Sequence, residues 1–242
     1  MTNRFTSRSD QRELLDELDI PKDLLNKNLQ ELDILNRLTG GHSISLKGIA
    51  QLITDRDRIY EIVDLGCGSG DSLRAIADWA KKNKFKVSLT GVDMNSDAIA
   101  YLDRHCSRYP EIKGFTGDYM DYLNQAKNVD IVLCSLFCHH LSDREIRTLF
   151  SCLKNQARIG FVINDLKRGP LAYYCAWLFP RLLNGTKLSR NDGPISVLRG
   201  FRSKELKSLL SQSGIKSYAI SEEWIFRFLI VGNTASHESA KR

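Results

Sequence analysis

Apolar residues along this chain follow two rhythms. Between Pro21 and Gly40-Gly41 they return at one-face helical spacing, with Leu25, Leu29 and Leu32 followed by Leu35 and Leu38, the proline opening the helix and the glycines stopping it. A second helix is expected at about Ile44 to Ile53, and further ones at about 70–82, 96–107 and 143–156, the last opened by Ser142-Asp143-Arg144-Glu145, a capping signal with acids in the first turn. Between the helical stretches lie short apolar runs that read as strands: Ile59 to Leu65, Val87 to Val92, a segment ending at Gly117-Asp118-Tyr119, Val129 to Leu136, and Ile159 to Ile163. The fourth run is apolar enough for a parallel strand buried on both faces. A helix near 202–213, stopped by Gly214, precedes two strands at 215–221 and 225–231 that should pair antiparallel. Strands alternating with helices predict an α/β fold. Polarity at the start predicts that Thr6 to Ser9 fray, and residues 233–242 are expected to be disordered.

The first strand ends in Asp64-Leu65-Gly66-Cys67-Gly68-Ser69-Gly70, with glycine at every second position. Such a turn removes the Cβ atoms that keep a ligand off the backbone, and it tolerates positive φ. A dinucleotide fingerprint reads G-x-G-x-x-G and rests a pyrophosphate on the helix N-terminus. Here the spacing is G-x-G-x-G, and Asp71 would meet a phosphate with like charge. An acidic turn suits a cationic ligand, and S-adenosylmethionine (SAM) carries a sulfonium and an ammonium. Downstream, the second strand ends in Asp93, placed to take both ribose hydroxyls, followed by Met94. Asp118 and Tyr119 put an acid and a ring near the expected adenine.

In combination, Val63 to Gly70, Gly91-Val92-Asp93, Gly117-Asp118 and Asp130-Ile131-Val132-Leu133 resemble a class I SAM-dependent methyltransferase over roughly residues 59–232. Leu35-Asn36-Arg37, Cys134 to Leu141, Asn164 to Arg168 and Asp192-Gly193-Pro194 are similar to bacterial small-molecule methyltransferases of the polyketide-synthase-associated and quinone types. The resemblance implies a Rossmann-like seven-stranded, mostly parallel sheet with an antiparallel C-terminal edge hairpin and helices on both faces. It implies an N-terminal helical cap over the cofactor site (1–58), a SAM-binding methyltransferase domain (59–242) and a helical lid insert (169–198). Asp64, Gly66, Cys67, Gly68 and Gly70 would then hold the aminoacyl end of the cofactor, Asp93 and Met94 its ribose side, and Asp118 and Tyr119 its adenine. Backbone at Cys134 and Ser135 would receive the ammonium. Arg37, with His42, is placed to meet the carboxylate, or is a plain helix C-terminal cation.

Methyl transfer to a hydroxyl needs a base, because a phenol with a pKa of about 10 is mostly protonated at neutral pH. His139 and His140, after the fourth strand, are the candidates, only one of them readily inward; each can equally cap the next helix. Asp165 can orient such a histidine or bind substrate. The insert carries Tyr173, Tyr174 and Trp177, substrate contacts if it closes as a lid; its alternative is a helix packed on the core or at an interface, with Pro180 interrupting it.

Composition narrows this picture. An apolar fraction of 42% and a charged fraction of 26% are ordinary for a globular chain. No apolar run of spanning length is present, and no Arg-flanked leader, so a cytoplasmic protein without stable membrane insertion is expected. The six cysteines read as reduced thiols, and Cys134, Cys138, His139 and His140 match no usual zinc spacing, so no metal is expected. Of the net charge of +6, residues 166–204 hold +7, which suits an acidic or carrier-bound substrate, an anionic membrane surface, or merely a solvated face. After the fourth strand the Asn/Asp-Pro-Pro-aromatic turn of base N-methyltransferases is missing, which disfavours nucleic acid. The expected function is SAM-dependent methylation of a small aromatic or polyketide-like metabolite, O-methylation favoured over C-methylation. Its rivals are a quinone or lipid-ring C-methyltransferase at the membrane surface, a dinucleotide-dependent reductase, and a non-catalytic SAM-binding partner protein.

Overall fold

The computed structural model describes residues 4–17 and 19–234. Helices α1 (Lys22–Leu38) and α2 (Gly41–Leu52) lead into an alternation of β1 (Ile59–Leu65), α3 (Asp71–Asn83), β2 (Lys86–Asp93), α4 (Ser96–His105), β3 (Ile112–Thr116), α5 (Tyr119–Gln125), β4 (Ile131–Ser135), α6 (Asp143–Gln156) and β5 (Gly160–Leu166). Then come α7 (Pro170–Leu182), α8 (Lys187–Arg199), α9 (Ser203–Gln212), β6 (Tyr218–Glu223) and β7 (Arg227–Asn233). The sheet order is β3-β2-β1-β4-β5-β7-β6, parallel up to β5, with β7 antiparallel to both β5 and β6. Chain order reverses between β1 and β4, so a crevice opens beyond the carboxyl ends of those two strands.

Strand alternation divides the core. Val63, Leu65, Val132 and Cys134 face one side, against Ile146, Leu149 and Phe150 of α6 and Leu206 and Leu210 of α9. Ile62, Ile131 and Leu133 face the other, against Ile49 of α2, Leu73 and Ile76 of α3 and Leu102 of α4. Burial on both faces is why β4 reads as a continuous apolar run.

Five expectations are corrected. Asn164 and Asp165 lie inside β5, paired with Leu229 and Phe228 of β7, because the antiparallel partner extends the strand past its apolar part. Helix α5 has only one buried side chain, Leu123, too little for a periodic signal, and Asp118 caps it through Met120 N and Asp121 N. Helix α7 runs through Pro180, with Pro170 at its first turn. Residues 4–9 are not frayed: Phe5 is buried, the Arg168 guanidinium donates to Phe5 O and Thr6 O, and Ser9 N donates to Leu198 O. Asn233 belongs to β7, pairing with Gly160, and the rest of the expected disordered tail, 235–242, lies outside the described residues. No helix among the described residues is long and apolar enough to cross a membrane.

Candidate functional site

The glycine turn joins β1 to α3 with Gly66, Gly68 and Gly70 all at positive φ. Gly66 N donates to Val92 O, and Gly68 N donates to the Asp93 carboxylate at 3.0 Å, which ties the turn to the end of β2. A Cβ on Gly66 would stand 2.3 Å from the Phe137 ring, so the segment after β4 lies directly on the turn. That segment bends at Leu136, whose φ is +54, where its N–H donates to Asn164 O. Cys134, Ser135, Asp64 and Asp93 therefore converge at one crevice, with Cys67 buried beneath it.

Asp64 is buried, and its Oδ1 has no hydrogen-bond partner. Burial, then the carboxylates of Asp71 and Asp93, push its pKa well above the usual carboxylate range. A buried acceptor without a donor, under a turn with glycine at every second position, fits an ammonium group. Asp93 Oδ1 accepts from Asn95 N, and Met94 beside it is exposed. Asp118 caps α5 through one oxygen, and Tyr119 packs edge-on against Phe137, with ring centroids 5.2 Å apart.

Asp71 turns away from the crevice. Its Oδ2 meets His42 Nε2 at 2.7 Å and accepts from Asn36 at 2.9 Å; burial alone would raise its pKa, but these partners hold it below the usual value. Asn36 also accepts from Arg227, which in turn donates to Asn164. Burial lowers Arg227 to about 10. This buried chain binds α1 and α2 to the sheet beside the turn. Arg37 takes no part in it: one position along the helix from Asn36, it faces solvent and reaches only Asp33, at 3.4 Å.

The second half of the site lies on a 3-10 turn, Cys138–His140, just after β4. His139 is buried, and its Nδ1 lies 2.7 Å from Asp165 Oδ1, while its backbone N donates to Asp165 Oδ2. Burial would raise Asp165, but the His139 ring and the backbone donor Leu166 N keep it below the ordinary value. An ionised Asp165 only accepts, so Nδ1 carries the proton and Nε2 is left as the basic atom. Nε2 faces Glu13 Oε1 at 3.8 Å, and Glu13, buried on both sides, is pushed up to about 7 by that burial. His140 is half-buried and paired with Asp16 at 2.7 Å.

Sequence reasoning missed Glu13, Asp16 and Arg199, which close this half. Arg199 donates to His139 O, His140 O and Gln11 O, and stands 3.8 Å from Glu13 and 3.7 Å from Asp16. Glu13, His139 and His140 come near enough for one metal ion, but that guanidinium already supplies a fixed positive charge. Asp192 of the quoted Asp192-Gly193-Pro194 accepts from Leu14 N and Leu15 N and so holds the covering segment, a contact the sequence reading did not anticipate. The substrate candidates of the insert stand apart: Tyr174 and Trp177 face outward, and Tyr173 packs against Phe5 and Arg4. A hollow of about 300 Å³ between Glu61, Thr90, Phe115 and the 125–129 loop lies toward the other end of the strands and contains none of these residues.

Residues 62–160 match the family model described as a methyltransferase domain. Among solved structures, the chain is similar to human N-acetylserotonin methyltransferase in complex with SAM (15% identity, 89% of this chain and 57% of that one, TM-score 0.62). It is also similar to the CurJ carbon methyltransferase (15% identity, 90% and 62%, TM-score 0.62) and to a SAM-dependent methyltransferase from Aquifex aeolicus (15% identity, 86% and 98%, TM-score 0.58). The chain spans 50 to 63% of the length of several solved proteins it matches. At these identities the likeness is one of fold.

Proposed function

We propose that this chain, whose residues 62–160 match a methyltransferase domain on the fold of the SAM-dependent enzymes, is a methyltransferase with SAM as its cofactor, and that its acceptor is a hydroxyl group of a small aromatic or polyketide-like metabolite. The observation that carries this reading is the buried His139–Asp165 pair beside the crevice. When bound, the cofactor supplies an electrophilic methyl group on a sulfonium. Asp64 would hold its ammonium, together with the backbone at Cys134 and Ser135; Asp93, with Met94 beside it, the ribose side; and Asp118 and Tyr119 the adenine.

The remaining work falls to residues of this chain. Asp165 fixes the His139 ring through Nδ1–H, and Nε2 takes the acceptor's proton. The imidazolium so formed is stabilised by the Asp165 carboxylate on one side, with Glu13 3.8 Å away on the other. Burial excludes bulk water from the proton transfer. His140, paired with Asp16, keeps the covering segment in place instead of moving a proton.

The test is turnover of labelled SAM with a panel of phenolic acceptors by the parent and by His139→Asn and Asp165→Asn, with SAM affinity measured in parallel. Loss of about 10² to 10⁴ in kcat in both variants, with SAM affinity kept, is expected. Undiminished turnover in His139→Asn would overturn the assignment, and a carbon-bound methyl group in the product would overturn O-methylation.

A further inference from the structure

Among the described residues, α7 exposes more large apolar side chains than any other element. Of the fourteen exposed large hydrophobic side chains among the described residues, seven lie in α7 or on the residue after it. Leu171, Tyr174, Leu178 and Leu182 recur at spacings of three and four, a continuous outward stripe, with Trp177 and Phe179 beside it. Only Ala172 of this helix is buried. Between Asp165 and Asp192 the sequence holds no acidic residue, and the exposed Arg181 and Lys187 border the stripe, while the Glu31 carboxylate of α1 is taken up by Thr186 and Ser189 at the start of α8. Arg168 and Lys167 in the same stretch are paired with Glu205 and Glu222, so the unpaired basic charge sits at the α7 end.

We propose that α7 and the turn after it form a docking surface for an anionic lipid bilayer, with the helix lying in the plane of the interface. A thirteen-residue helix is about 20 Å long, too short to span, and an apolar stripe with basic neighbours is what an interfacial helix requires. The Arg181 guanidinium stacks 4.6 Å from the Trp177 ring, so its charge lies at the level of an aromatic that favours the interface. A second copy of the chain is the poorer occupant. A two-fold contact through this face would set Arg181 and Lys187 against their own copies, with no carboxylate from 166 to 191 to pair them and the neighbouring Glu31 already bonded to Thr186 and Ser189. The surface is coupled to the site, because α8, which follows directly, ends in Arg199 on His139 O. Taken with the proposed function, on which this clause rests, the acceptor is a lipophilic ring reached from the membrane.

Flotation of the full chain with vesicles of phosphatidylcholine, with and without phosphatidylglycerol, tests this at low and high salt. The protein is expected to float with the anionic vesicles, to lose that binding at high salt, and to remain at the bottom with the neutral ones. Leu178→Glu with Leu182→Glu is expected to abolish flotation, whereas Ile34→Glu, on the exposed face of α1, leaves it unchanged. Thermal stabilisation by SAM, followed in every variant, establishes that each is folded, and it reads the cofactor assignment separately from docking. A folded protein that floats with neither vesicle overturns the proposal, as does a dimer in sedimentation velocity that Leu178→Glu dissociates.

Discussion

Two carboxylates flank the same imidazole in opposite states. Asp165, with three donors, is held below its ordinary value, whereas Glu13, with one hydroxyl donor, is raised by burial from 4.5 to about 7. Because the Glu13 value is higher in the folded chain, its contribution to stability is complete below about pH 4.5 and is lost as pH rises through about 7. Glu13→Gln should therefore match the parent in urea unfolding at low pH and exceed it at pH 8, by up to about 3 kcal/mol at 1.36 kcal/mol per unit. Gly66→Ala and Gly68→Ala both place a Cβ at positive φ, costing ~1–2 kcal/mol each. Only the first also meets the Phe137 ring, so its urea midpoint should fall further; equal losses would mean that the ring yields freely. At this scale the sequence revealed the glycine turn, Asp93 and the His139–Asp165 pair, since each lies at or next to the carboxyl end of a strand. Glu13 was not legible, because its partners lie 126 and 127 positions away and nothing in its neighbours marks it. The part Asn36 plays beside Arg37 was not legible for a simpler reason: adjacent helix positions point about 100° apart, and periodicity alone does not say which one faces a polar neighbour.

Elements were readable in proportion to how completely their two faces differ, or agree, in burial. Strand β4, buried on both sides, and α6, with a strong apolar stripe and a capping box between Ser142 and Glu145, were plain from sequence. Removing that cap tests its worth: Ser142→Ala is expected to lower stability by about 1 kcal/mol in urea titration. Helix α5 escaped notice because one buried leucine makes no pattern. The aromatic run of α7 was plain from sequence, but its outward direction was not, since an apolar helix reads as covered whatever covers it. Tyr174 and Trp177 face out while Tyr173 packs on Phe5, and the cover over the histidines comes from the chain's first segment.

That segment, residues 4–17, is held across the whole molecule by buried cations. Arg168 reaches Phe5 O, Thr6 O, Gly200 O and Glu205, and Arg8 reaches His139 O, Leu141 O and Asp143. Arg168→Met is expected to speed amide exchange through residues 9–15 while β1 and β4 stay protected; unchanged exchange would show that other contacts suffice. The sheet imposes a different order on the molecule. Strand β7, whose residues are nearly the last of the described chain, lies between β5 and β6 instead of at an edge. On the ribosome, β5 is made some sixty residues before its neighbour, and its hydrogen-bonding edge stays open through the synthesis of α7, α8 and α9. Only once Asn233 has emerged is that edge closed, so a polypeptide released before Arg227 presents an apolar strand ready to pair with another chain.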